Sequence, residues 1–128
     1  MPMKRDARVE RIAEICLALP ETTREDVGLN TTFRVRRKPF AYFLNNHHGD
    51  GIIRLWCKVL PGDNHALIRS GPQRFYMPAY VGPRGWVGLR LDVGEVDWDE
   101  VSEVLRHSYL LIAPKSLSAK VSGGAAGG

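Results

Sequence analysis

Apolar positions along this chain recur with two different periods. Val9, Ile12, Ala13, Cys16 and Leu17 follow the i, i+3, i+4, i+7, i+8 spacing of one helix face, with Arg8, Glu10, Arg11 and Glu14 turned away from it. This predicts an amphipathic helix stopped by Pro20. The stretch ETTREDVGLN has no apolar period and reads as a polar connection ending near Gly28. Beyond it the period falls to two. TTFRVRR and PFAYFLNN, joined through Lys38 and Pro39, alternate as strands, and HHGDG reads as a turn. IIRLWCKVL is a third strand closed by Pro61 and Gly62.

DNHALIRSG reads as a short helix, with Asp63 as N-cap and Gly71 just past its end. FYMPAYVGPRG carries two prolines and two glycines, which breaks any regular element. GWVGLRLDV then alternates cleanly: Val87, Leu89, Leu91 and Val93 on one face, Trp86, Gly88, Arg90 and Asp92 on the other. DWDEVSEVLRHSYLLI is the last helix, opened by an Asp97/Glu100 capping box and striped by Val101, Val104, Leu105 and Ile112. The closing SLSAKVSGGAAGG holds too little apolar material to order itself, so a single domain over residues 1–115 and a flexible tail over 116–128 are expected.

Each helix has one apolar stripe and each strand one apolar face. The economical packing is an α+β two-layer sandwich, an antiparallel sheet with the N- and C-terminal helices on one face. The other face is then free for water or a partner. On it the alternation places Arg34 and Arg36 from the first strand, Arg54, Trp56 and Lys58 from the third, and Trp86 and Arg90 from the last. Lys and Arg side chains suit phosphates, and indole faces suit exposed bases. The alternative is a small second core, with the segment around Phe75, Tyr76 and Tyr80 folded over Trp56 and Trp86 and the basic stems packed across the rings.

Composition narrows the partners. The 128 residues carry 18 Lys and Arg against 14 Asp and Glu, a formal charge of +4, which permits an anionic ligand without demanding one. No apolar run approaches the length that spans a bilayer. The first residues, Met-Pro-Met-Lys-Arg-Asp, lack the apolar core of a secretory signal. Cys16 and Cys57 both fall on apolar faces, which argues against a disulfide and for a reducing cytoplasm. They read as small buried hydrophobes rather than nucleophiles.

His47 and His48 are adjacent and point apart in an extended chain, and no Cys or His recurs at a metal-ligand spacing. No metal or cofactor is expected. GPRGWVG leads into a strand rather than a helix N-terminus, so it lacks the geometry that cradles phosphate. Asp97, Asp99 and Glu100 complement a helix dipole. No catalytic constellation is present, and no enzyme activity is expected.

FRVRRKPFAYF, IIRLWCKV, GWVGLRLD and HSYLLIAPK, in that order and spacing, resemble the MmcQ/YjbR family of small bacterial proteins. The likeness runs from about Leu19 to Lys115 and rests on Phe33, Val35, Lys38, Phe40, Ala41, Lys58, Pro78, Trp86, Val87, Leu91, Ser108 and Tyr109. It implies a CyaY-like (frataxin-like) sandwich and a DNA-contacting sheet of the double-wing kind. Frataxins carry an acidic ridge on the first helix; here Arg8 and Arg11 alternate with Glu10 and Glu14, which disfavours iron.

The combined expectation is a monomeric, non-catalytic protein that binds nucleic acid, double-stranded DNA foremost. Arg34, Arg36, Arg54, Lys58 and Arg90 would meet phosphates, Trp56 and Trp86 would supply platforms, and Arg37 with Lys38 would reach the backbone as a wing. The rival is a module that takes a protein or a small ligand on the same face.

Overall fold

The structure is a computed structural model that describes residues 6–127, with side chains described as far as residue 121. Residues 1–5, read above for a secretory signal, and Gly128 of the expected tail lie outside the described residues. In chain order the elements are α1 (Ala7–Leu17), β1 (Thr22–Val27), β2 (Asn30–Val35), β3 (Lys38–Asn45), β4 (Ile53–Lys58), α2 (Asp63–Ser70), β5 (Phe75–Tyr76), β6 (Trp86–Arg90), α3 (Trp98–Ile112) and α4 (Lys115–Gly127). The strands form one antiparallel sheet in the order β1-β2-β3-β4-β6-β5.

Register carries the period-two pattern straight across the sheet. Phe33, Ala41, Cys57 and Val87 are successive partners, as are Thr31, Phe43, Leu55, Leu89 and Phe75. All nine are buried. A bulge opposite Phe33 and Arg34 adds Phe40 to the core beside Ala41. Val9, Ile12, Ala13 and Cys16 of α1 and Val101, Val104, Leu105 and Tyr109 of α3 cover this face. Both helices thus lie on one side of the sheet, as the apolar stripes require.

Two polar groups tie the layers together. Tyr109 is buried edge-on against Phe40 and donates its hydroxyl to the Pro20 carbonyl at 2.9 Å. Ser108 donates to the Lys58 carbonyl at 2.6 Å, joining α3 to the end of β4. Both buried hydroxyls are therefore partnered rather than orphaned.

Four local readings need correction. The polar stretch after α1 is not a connection but an edge strand, β1, with Gly28 at φ +61° in the turn to β2. Its core-side positions are Thr22, Arg24 and Asp26, all polar, so no apolar alternation marked it. Hydrogen bonds satisfy them instead: Thr22 to the Cys16 carbonyl, Arg24 to Glu10, and Thr31 to Asp26. Next, Asp97 caps α3 by accepting from the Asp99 and Glu100 amides, but the reciprocal half of the capping box is missing. The Glu100 carboxylate turns to Arg74 at 2.7 Å. Third, Asp63 is the first residue of α2 rather than its cap, the preceding Gly62 taking φ +99°. Finally, the ordered chain runs past 115. Helix α4 begins there, and Leu117, 1% exposed, joins the core under α3.

Candidate nucleic-acid interface

The sheet face away from the helices carries three rows of side chains. The middle row crosses the strands as Thr32, Tyr42, Trp56, Gly88 and Tyr76. To one side of it, Leu44, Arg54 and Arg90 are partners. To the other, Lys58 faces Trp86, with Arg34 further along on β2. Arg34, Arg54, Trp56, Lys58, Trp86 and Arg90 therefore share one face, as the alternation predicted. Trp86 stands diagonal to Trp56 because Gly88 is the residue opposite the latter.

The rings are held by specific contacts. Trp56 donates its indole N–H to the Tyr76 hydroxyl at 2.6 Å. Tyr76 lies over Gly88, where only a hydrogen leaves room for the ring. Burial raises the Tyr76 phenol above its usual pKa, while the Trp56 bond pulls the other way. Trp86 packs on Tyr42 with ring centroids 5.3 Å apart, and the Lys58 ammonium stands 5.9 Å over its indole. His47 meets Trp56 edge-on at 6.3 Å. Burial, then His48 and Arg54, push the His47 pKa down, so its neutral form is favoured.

Tyr42, Trp56 and Trp86, with Leu44, His47, Val81 and Arg84, line an open cleft of about 410 Å³. One wall is the segment between β5 and β6, which the sequence pattern left irregular. Asn64, buried at the start of α2, pins that wall by donating to the Gly82 carbonyl at 2.9 Å and the Trp86 carbonyl at 3.2 Å. Trp56, Trp86, Tyr42 and Tyr76 all remain partly exposed. The second-core alternative accounts for Tyr76 only: Phe75 belongs to the helix-side core, and Tyr80 is 93% exposed.

The charges are less free than their number suggests. Arg34 pairs with Glu25 at 2.6 Å, Arg90 with Asp92 at 2.7 Å, and Arg36 with Glu21 at 3.1 Å. Arg54, 8% exposed, pairs with Asp50. Each pair cancels much of the field that would draw a phosphate. Lys58 donates to the Arg84 carbonyl. Among the described residues, Arg84, Arg37 and Lys38 have no carboxylate partner.

Arg36, Arg37 and Lys38 do not join the aromatic face. They surround the β2–β3 turn and line a separate groove of about 390 Å³ with Val35, Ile112 and Pro114, on the helix side. Arg36 takes φ +57° in that turn. Sequence reasoning also missed Tyr42 and Arg84. Tyr42 was legible, since it alternates with Ala41 and Phe43; Arg84 reaches the cleft only because Asn64 folds its segment back.

Other features point elsewhere. Cys16 and Cys57 are buried free thiols, and burial pushes Cys57 up to about 12. Among the described residues, no group of three or more His, Cys, Asp or Glu side chains is gathered as a metal site. No helix among them is long and apolar enough to cross a membrane.

The family model YjbR matches residues 17–111 of the chain. The crystal structure of Deinococcus radiodurans protein DR2400, whose domain is DUF419, is similar with a TM-score of 0.69 and 24% identity, over 95% of this chain and 91% of that one. At that identity the likeness speaks to the fold. No curated protein sequence matches the chain.

Proposed function

The chain belongs to the YjbR family, and from that premise we propose that it binds DNA through the outer face of its sheet, in a binding rather than a catalytic role. The observation that supports this reading is the meeting of Tyr42, Trp56 and Trp86 with the cations Lys58 and Arg84 on one uncovered face. Stacking platforms beside cations are what a polyanion with aromatic bases selects. The ion-paired Arg34 and Arg90 are about one-third exposed, and exposed ion pairs are worth little. A phosphate can therefore take the place of Glu25 or Asp92. Arg54 is too enclosed to do so and serves to hold the turn before β4 through Asp50. The two thiols are enclosed and so not placed to act as nucleophiles. The proposed setting is the cytoplasm, with the protein acting as a monomer.

Tryptophan fluorescence titrated with mixed-sequence DNA at several salt concentrations tests the reading. Two to four neutralised phosphates give a log–log salt slope of about −2 to −4. Reversing Arg84 and Lys58 to Glu should abolish the quenching with the fold intact. Absence of binding at low salt overturns the proposal.

A second reading is favoured by the cleft itself. Its volume of about 410 Å³ lies within the range of small-ligand sites. Substitution of its rings would then matter far more than reversal of its charges.

A further inference from the structure

Resting on the DNA reading, we propose that the cleft takes a single unpaired nucleobase, so that the form bound best is a strand with a base free of its partner. The cleft is built of ring faces: Tyr42 against Trp86, and Trp56 with His47 at its edge. A paired duplex shows a protein its phosphates and the edges of its bases, and keeps base faces stacked inside. It has nothing to set against these rings. An extruded or unpaired base does, because every base has a flat π-face.

The rings are set before any ligand arrives. The Tyr76 hydroxyl holds Trp56 from one side, and the Lys58 ammonium sits over Trp86. Asn64 fixes the wall that carries Val81 and Arg84. A preorganised platform loses little side-chain freedom on binding. Arg84 lines the cleft, and Lys58 stands over Trp86 and donates to the Arg84 carbonyl, which sets a second cation beside it. That is where the phosphate flanking a seated base belongs.

The other enclosed surfaces do not suit the same ligand. The groove between α2 and α3 is smaller, about 290 Å³, and has Asp63 and Glu103 among its lining residues, which repel phosphate. The groove beside the β2–β3 turn has unpaired cations but no aromatic ring among its lining residues. The sheet cleft brings ring faces and the Arg84 cation together in one lining.

The test compares three hairpin duplexes of one sequence by tryptophan quenching at fixed salt: fully paired, with one bulged base, and with a bulged abasic sugar. The bulged base should bind roughly ten-fold tighter than the paired duplex, in the range expected for stacking one base. The abasic bulge should behave as the paired form. Val81→Trp fills the cleft from its half-buried wall without removing any core contact, and should erase the preference for the bulged base over the abasic one. Trp86→Leu removes one of the ring faces and should bring the affinity for the bulged base down to that for the abasic bulge, with thermal unfolding as the check on folding.

Equal affinity for all three duplexes, unchanged by V81W, overturns the base-seating inference and leaves DNA binding standing. No binding of any duplex or single strand overturns DNA binding itself, and the inference with it. Saturable quenching by adenosine monophosphate without DNA binding overturns both in favour of a free nucleotide.

Discussion

Gly88 offers the sharpest test of how the outer face is built. A Cβ at this position would lie 2.3 Å from Tyr76 Cε1 and Cζ, and 2.8 Å from Cε2. Ordinary carbon contacts fall at about 3.5–4.0 Å, so Gly88→Ala must lift the ring by roughly 1 Å. Tyr76 now accepts from Trp56 at 2.6 Å, and a shift of that size stretches the bond beyond useful length. Loss of that bond costs about 1 kcal/mol. Overpacking adds about 1–3 kcal/mol, less about 0.5 kcal/mol for replacing a flexible glycine in a strand. The net expectation is a destabilisation of about 2 kcal/mol. For a chain of 128 residues this lowers Tm by roughly 7 °C, on the usual unfolding entropy per residue. Circular dichroism melts of wild type, G88A, Y76A and the double variant measure it. In the Y76A background the ring is gone, so G88A should be neutral within about 0.5 kcal/mol. An equal loss in both backgrounds, or none in either, refutes the packing of Tyr76 on Gly88.

Three further outcomes follow from the same contacts. Asp50→Asn should lower the urea midpoint by the equivalent of about 3 kcal/mol, because Arg54 is left as an enclosed charge whose Nε already lacks a partner among the described residues; adding Arg54→Met should recover most of the loss. Asp92 is held below its usual pKa of 3.8, first by Arg90 and then by the Ile53 amide; its contribution is present above about pH 4 and lost as pH falls through the lower folded value. Stability measured across that acid limb should fall less steeply for Asp92→Asn. Cys16 and Cys57 should react with a thiol reagent at pH 8 only on unfolding, since burial raises both; reaction of the native protein at a free-thiol rate would contradict their enclosure.

Much of the fold is legible in the sequence alone. The stripe Val9–Ile12–Ala13–Cys16 and the alternation through Phe33, Leu55 and Val87 are set by periods of 3.6 and 2, which are properties of local backbone geometry. They determined α1, α2 and α3, four of the strands, the side of the sheet that is core and the residues shown on the other side. They could not mark β1, because Thr22, Arg24 and Asp26 replace apolar burial with hydrogen bonds to groups that are distant until the chain folds. The same limit applied to Leu117, one apolar residue in a poor stretch that becomes core once α3 supplies a surface.

For the candidate site, alternation alone put Trp56, Lys58 and Trp86 on one face, since adjacent strands share a pleat. Only the tertiary structure decided how much charge that face presents. Glu25, Asp50 and Asp92 reach Arg34, Arg54 and Arg90 through strand pairing and turn geometry, which no count of basic residues contains. Only folding, too, made a cleft of the rings, because Arg84 and Val81 arrive on a segment held back by Asn64 from another element. Side-chain direction is local and can be read along a chain. Neutralisation depends on which carboxylate a turn or neighbouring strand presents to each arginine, and enclosure on a segment held by another element, so both exist only when the sheet has formed.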